Sequence, residues 1–123
     1  MATQAEAINY IKSNFKCEAV TDDLFKILVE YEENRSQLVF VGVHEHAIVL
    51  NSPFASDKDL TAAQALNAVT DGLFGLKNIG GLYSLANLVF MEDLDASEIN
   101  KGILFLARSA DDLEKSLVGG DRL

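Results

Sequence analysis

The sequence is poor in cysteine, proline and tryptophan, and it has no long apolar run. Its 123 residues include one cysteine, one proline and no tryptophan. The lone Cys17 cannot form an internal disulfide, which agrees with a reducing compartment, so we expect a cytoplasmic protein. No stretch approaches the roughly 20 apolar residues that span a bilayer, and the first residues lack the pattern of a signal peptide, so we expect no membrane segment.

Basic residues are scarce as well. Ten lysines and arginines stand against 19 aspartates and glutamates, which gives a formal charge of −9. Such a field repels phosphate backbones and anionic lipid headgroups. We therefore expect neither a nucleic acid nor a membrane surface as a partner.

What is present is the composition of a folded globular domain. Apolar residues make up 49% of the chain and charged residues 24%, a balance that can close a hydrophobic core. A length of 123 residues suits one domain and is too short for two. We therefore expect a single domain over residues 1–123.

Three segments have helical periodicity. Thr3 and Glu6 form a capping-box pattern ahead of apolar residues at helical spacing, and Asp95 with Glu98 repeats that pattern near the end of the chain. Between them lies an alanine-rich segment with apolar residues every three or four positions. The predicted helices cover residues 4–15, residues 58–73, and the segment from Asp95 to the Gly119-Gly120 pair.

Strand periodicity lies between these helices. Apolar and polar residues alternate from Leu24 onward, with short polar turns that suit an antiparallel meander. Pro53 is expected to end the third strand because proline has no amide hydrogen. The predicted strands cover residues 24–32, 37–43 and 47–52, followed by one or two strands around a Gly-Gly turn within residues 75–91. The expected fold class is α+β, with an antiparallel sheet of about five strands and three helices in the order α-β-β-β-α-β-β-α.

The second and third strands carry apolar side chains on both faces, within residues 38–50. Leaving one such side chain uncovered forgoes roughly 1.5–3 kcal/mol. In one interpretation the second helix covers the surplus within the chain. In the other, a dimer mate or a bound peptide covers it or pairs with a sheet edge. The partner-binding residues that we predict are Leu28, Val39, Val41 and Val43, and the opposite register, with Leu38 and Phe40, fits nearly as well.

No constellation of residues for catalysis emerges. His44 and His46 lie on one side of a strand at a spacing that can share a metal ion, but no third ligand is evident, so we expect no metal site. Cys17 has no adjacent base, and the paired acidic residues are typical of solvated turns and helix faces. We expect no enzymatic activity and no cofactor. The alternative hypothesis is a small-ligand-binding protein or enzyme with a pocket near His44 and His46.

Two segments carry a resemblance to a known family. Residues 88–99, continuing to Leu106-Ala107-Arg108-Ser109-Ala110-Asp111, place an apolar strand, a short acidic loop and a long helix in succession. Residues 48–54 form an apolar strand and its exit through Pro53. With the order of elements, these segments resemble the YbjN and type III secretion chaperone-like family over nearly the whole chain.

The resemblance implies an antiparallel sheet with helices packed against it, a homodimer, and a protein without enzymatic activity. Secretion members of that family bind extended segments of client proteins on apolar surface patches. Our leading hypothesis is therefore a dimeric, chaperone-like or regulatory module that binds a client protein or peptide segment on its sheet.

Overall fold

The computed structural model of the chain describes residues 3–31, 35–69 and 73–118. Over these residues the chain forms an α+β fold with three α-helices and an open sheet of six strands. The elements are α1 (Gln4–Asn14), β1 (Cys17–Ala19), β2 (Leu24–Glu30), β3 (Ser36–Val43), β4 (Ala47–Ser56), α2 (Ala62–Ala68), β5 (Gly75–Ile79), β6 (Leu82–Phe90), a short 3-10 turn (Met91–Asp93) and α3 (Ala96–Val118).

All neighbouring strands of the sheet are antiparallel, in the order β1-β2-β3-β4-β6-β5. The predicted order of elements is confirmed, but the sheet has six strands where about five were expected. The additional strand is β1, which pairs with β2 from Cys17 to Ala19. Three residues are too few to show an alternating pattern, so only the pairing with β2 reveals this strand.

The helices lie on one face of the sheet. The Gln4 side chain of α1 donates to the carbonyl of Val43 at 2.9 Å, and the Lys12 ammonium lies 5.8 Å from the centre of the Phe25 ring. In α3, Gly102 approaches the Leu50 side chain so closely that a Cβ would lie 3.5 Å from Leu50 Cδ1. We call this side of the sheet the covered face. Its buried strand residues are Phe25, Ile27, Val29, Gln37, Val39, Val41, Val43, Ile48, Leu50, Ser52, Tyr83 and Leu85.

The second helix is shorter than predicted and packs on the same side as the other two. It begins after Thr61, whose hydroxyl accepts from the Gln64 amide while the Gln64 side chain accepts from the Thr61 amide. This capping box explains why the helix starts four residues later than residue 58. Its last turn lies beside α3 and Leu85, at a hollow that Ala68 and Val69 also line. The helix therefore covers apolar residues on the same side of the sheet as α3, and the interpretation in which it covers the whole apolar surplus within the chain is wrong.

The fourth strand continues past Pro53 to Ser56, so the prediction that Pro53 ends a strand is wrong. Pairing between β3 and β4 stops at Phe40 and Asn51, whereas pairing between β4 and β6 runs on through Pro53 with a bulge. The Ser52 hydroxyl donates to the Leu38 carbonyl at 2.6 Å, and the side-chain amide of Gln37 donates to the Pro53 carbonyl. We call this unpaired junction between β3 and β4 the seam. The two side chains supply hydrogen bonds across it that the proline nitrogen cannot supply.

The last helix starts at the predicted cap and is tied to the sheet by a buried ion pair. Asp95 Oδ1 accepts from the Glu98 amide at 3.0 Å, and bonds from Ser97 and Glu98 hold the pKa of Asp95 below its usual value. Arg35, just before β3, binds Asp111 of this helix at 2.8 Å with both side chains largely buried. The expected helix end at Gly119-Gly120 lies outside the described residues.

Candidate functional site

The second face of the sheet carries mostly apolar side chains, and no described helix packs on it. We call it the open face. It consists of Glu18 of β1; Leu24, Lys26, Leu28 and Glu30 of β2; Ser36, Leu38, Phe40 and Gly42 of β3; Ala47, Val49, Asn51, Pro53 and Ser56 of β4; Leu82, Ser84, Ala86, Leu88 and Phe90 of β6; and Gly75, Lys77 and Ile79 of β5.

The strand register makes the open face continuous. Leu24 pairs with Gly42, Gly42 with Val49, and Val49 with Leu88, so one row crosses four strands. In the next row Ala47 pairs with Phe90. Because directly opposed side chains lie about 5 Å apart on one face of a sheet, these residues form one apolar surface.

The most exposed part of this surface lies at the end of β6. Leu88 is 49% exposed and Phe90 is 57% exposed. On a strand, alternate residues face opposite ways, and Val89 between them turns toward the covered face and is half-buried. Two large apolar side chains next to one another on an uncovered sheet form an exposed apolar patch, a feature that is typical of interaction surfaces.

A shallow groove crosses the open face diagonally and has a volume of about 290 Å³. It runs from Leu24 over Phe40 and Pro53 to Leu82 and Ile79, and so touches five strands. It lies where pairing between β3 and β4 stops, which places the proline ring at its floor. Its only polar lining residues within the described chain are Asn51 and Ser84. The groove therefore suits an apolar occupant.

The structure corrects the predicted partner-binding surface. Val39, Val41 and Val43 are fully buried on the covered face, beneath the helices, so they are not available to a partner of the folded domain. Leu28 pairs with Leu38 and lies on the opposite face from the three valines. The four predicted residues therefore do not form one surface, and the register with Leu38 and Phe40 is the one that faces outward.

Sequence reasoning missed Leu88 and Phe90 as surface residues. Their strand was predicted, but its place in the sheet was not. A signal was present, because Leu88, Phe90, Val49 and Ala47 all occupy alternating positions of apolar strands. Only the pairing of β4 with β6 shows that the four lie side by side.

The two histidines do not assemble a ligand site in the described residues. The His46 side chain is 86% exposed, and its nearest acidic partner is Glu45, at 3.9 Å between Nε2 and Oε2. An open hollow beside His46 does not include His44 among its lining residues, which are Thr3, Gln4, Glu45, His46, Phe90, Met91 and Glu92. Within the described chain no three histidine, cysteine or acidic side chains are grouped as metal ligands require.

A polar cleft lies at the opposite end of the fold, between β2 and α3. It is lined by Glu30, Tyr31, Arg35, Arg108, Asp111, Asp112 and Lys115. Burial raises the pKa of Tyr31 to about 12, and the negative charge of Asp111 acts in the same direction. The opposite charges in this cleft pair with one another, Arg35 with Asp111 and Arg108 with Asp112. We therefore interpret it as the contact that fastens α3 to the sheet.

Comparison of the chain with protein-family models and with curated proteins finds no match. In the described part of the chain, no helix combines the length and apolar character needed to cross a membrane.

Proposed function

We propose that this chain is a non-enzymatic protein-binding module, chaperone-like or regulatory, that holds an apolar segment of a partner protein on its open face. The observation that carries the proposal is the placement of all described helices on one face, which leaves a continuous apolar surface on the other. Burying one leucine or phenylalanine side chain is worth roughly 1.5–3 kcal/mol, so a partner that covers several of them gains a useful affinity.

Charge supports a protein rather than a polyanion as the occupant. The chain carries a formal charge of −9, which disfavours phosphate backbones and anionic lipid headgroups. The open face itself has few charged side chains, and its groove has none among its described lining residues. An apolar peptide segment in the groove meets no charged side chain among these lining residues.

The resemblance to the YbjN and type III secretion chaperone-like family leads to the same proposal from the order of elements. A cytoplasmic location, proposed from the single cysteine, would suit such a module. The alternative function near His44 and His46 has less support, since the hollow beside His46 is open and the described residues that line it do not include His44.

Photo-cross-linking in cells tests this proposal with a matched pair of positions. Phe90 on the open face and Phe105 on the outer side of α3 are exposed by 57% and 53%. Each is replaced in turn by benzoylphenylalanine, and the adducts are identified by mass spectrometry. We expect an adduct with a different protein from position 90 and not from position 105.

The partner is then purified and its affinity measured by fluorescence anisotropy. Leu88→Glu should weaken binding by at least about tenfold, as expected for the loss of an interface anchor, whereas Leu104→Glu on α3 should not. Adducts of equal yield from both positions, or equal affinities of both variants, would contradict the proposal.

A further inference from the structure

We infer that the client segment carries a basic residue, and that the open hollow beside His46, which we call the His46 hollow, receives the side chain of this residue. The inference rests on the proposed function, because it names the chemistry of the same client. The lining of the His46 hollow, its charge, its fixed walls and its position beside the open face support the inference.

The His46 hollow has room for a long side chain with an apolar stem. Its volume is about 570 Å³, and Phe90 and Met91 contribute apolar surface to its lining. Arginine and lysine side chains are apolar along the stem and charged only at the head. Such a stem can lie against the ring of Phe90, and a guanidinium over the face of an aromatic ring gains further attraction. The lining therefore suits a basic side chain whose head reaches carboxylates at the rim.

Two carboxylates at the His46 hollow, those of Glu45 and Glu92, have no lysine or arginine partner among the described residues. The side chain of Glu45 has only the neighbouring His46, at 3.9 Å, and none of the described lining residues is a lysine or an arginine. The polar cleft at the other end of the fold differs, because its arginines pair with its own aspartates. A cation of the client therefore complements the charge of the His46 hollow, which an acidic side chain would oppose.

Hydrogen bonds hold the walls of the His46 hollow in place. The Met91 amide donates to the His46 carbonyl at 2.8 Å, which joins the end of β6 to the turn before β4. The Gln4 side chain donates to the Val43 carbonyl at 2.9 Å, which ties the start of α1 to β3. A basic side chain therefore enters a formed site, and its binding requires little ordering of the chain.

The His46 hollow is continuous with the open face, because Phe90 belongs to both. Phe90 pairs with Ala47 of β4, and Leu88 lies two positions earlier on the same side of β6. A client segment that covers Leu88 and Phe90 therefore reaches the hollow directly. Because the hollow lies at one end of β6, a basic residue that enters it fixes which part of the client lies at that end of the sheet.

Selection from a phage-displayed library of random dodecamer peptides tests the inference without a known client. The baits are the wild type, the hollow variant Glu45→Gln, Glu92→Gln, and the control Asp59→Asn, Asp112→Asn. The control removes the same number of charges from exposed residues outside the hollow. Apolar peptides selected by the wild type and by the control should be enriched in arginine and lysine. Those selected by the hollow variant should not.

A selected peptide with one arginine then measures the contribution of the charge. The same peptide is made with citrulline in place of the arginine, which keeps the length and shape of the side chain but is neutral. In fluorescence anisotropy the wild type and the control should bind the arginine peptide about tenfold more tightly, and Glu45→Gln, Glu92→Gln should reduce this preference to less than about twofold. Circular dichroism establishes that each variant is folded.

The outcomes separate this inference from the proposed function. Apolar peptides without enrichment of basic residues, or a client cross-linked at position 90 whose segment has no basic residue, would overturn the inference and retain the proposed function. An arginine preference that persists in Glu45→Gln, Glu92→Gln would also overturn it, since the overall negative charge of the chain would then be the source. A library without binders, together with no adduct at position 90, would overturn both.

Discussion

The two faces of the sheet are both apolar, yet one is the core and the other is a surface. In β3, Val39 and Val41 are fully buried, whereas their neighbours Leu38 and Phe40 retain partial exposure on the open face. Their side chains are similar in hydrophobicity, so composition does not explain the difference. The helices decide it, because α1 and α3 pack on the same side of the sheet. A strand that is apolar on both sides therefore indicates two surfaces that avoid water. It does not indicate which of the two is covered by the helices of the same chain.

The largest predicted difference between the faces is a pair of substitutions at adjacent residues. Val41→Asp places a carboxylate in the core and should cost about 4 kcal/mol or more in unfolding free energy, enough to unfold many small domains. Phe40→Asp exposes its carboxylate to water and should cost less than about 1.5 kcal/mol in the isolated domain. Urea denaturation followed by circular dichroism measures both. Equal losses would mean that the open face is packed within the chain.

The ion pair between Arg35 and Asp111 should matter nearly as much on the covered side. Arg35→Met leaves a buried carboxylate without this partner and should cost about 3 kcal/mol. The double variant Arg35→Met, Asp111→Leu removes both charges and should recover most of that loss. Thermal unfolding of the two variants and the wild type gives the comparison. No recovery in the double variant would show that the ion pair is not the source of the loss.

A smaller effect is expected at the seam between β3 and β4. Ser52→Ala removes the hydroxyl that donates to the Leu38 carbonyl and should cost about 1–2 kcal/mol. Ser84→Ala, a buried serine of β6 on the open face, is the control and should cost less than about 0.5 kcal/mol. Urea denaturation midpoints distinguish the two variants, provided that the slope of the unfolding free energy against urea concentration is the same in both. A control loss as large as that of Ser52→Ala would rule out a special role for the seam.

The smallest effect is a pH dependence at Tyr31. Burial raises the pKa of Tyr31 to about 12, from an ordinary value of 10.0, so folding favours the protonated phenol. Its contribution to stability is complete below pH 10 and should be lost as the pH rises from 10 to about 12. Tyr31→Phe should lose less stability than the wild type between these pH values. Urea denaturation measures the unfolding free energy of both proteins at the two pH values. An equal loss in both would contradict the assignment of the pH dependence to Tyr31.

Local patterns predicted elements well where neighbouring residues determine them. Thr3 and Glu6 cap α1 as expected, since a capping box depends on residues three positions apart. Pro53 was wrongly expected to end the strand. The effect of a proline depends on whether a neighbouring strand would have accepted a bond from the missing amide hydrogen. On the β3 side of β4 the pairing ends before Pro53, whereas on the β6 side it continues. Only the position of the residue in the sheet decides such a case.

The candidate site was harder to predict because it depends on which side of the sheet the helices pack against. The sequence indicated an apolar surplus on both faces of residues 38–50 but could not rank Val41 above Phe40 as a core residue. Leu28 was grouped with the wrong partners because the pairing register of β2 and β3 was unknown. Leu88 joins the surface only through the pairing of β4 with β6, which are separated by a helix and a strand.

Hydroxyl-radical footprinting in cells tests most directly the claim that another protein covers the open face. Phe90 and Phe105 are the same residue type with nearly equal exposure in the isolated chain, so dilute purified protein should oxidise equally at both positions. In cells, Phe90 should be oxidised several times more slowly than Phe105. Equal oxidation of the two side chains in cells would contradict the account, because the open face would then remain in contact with water.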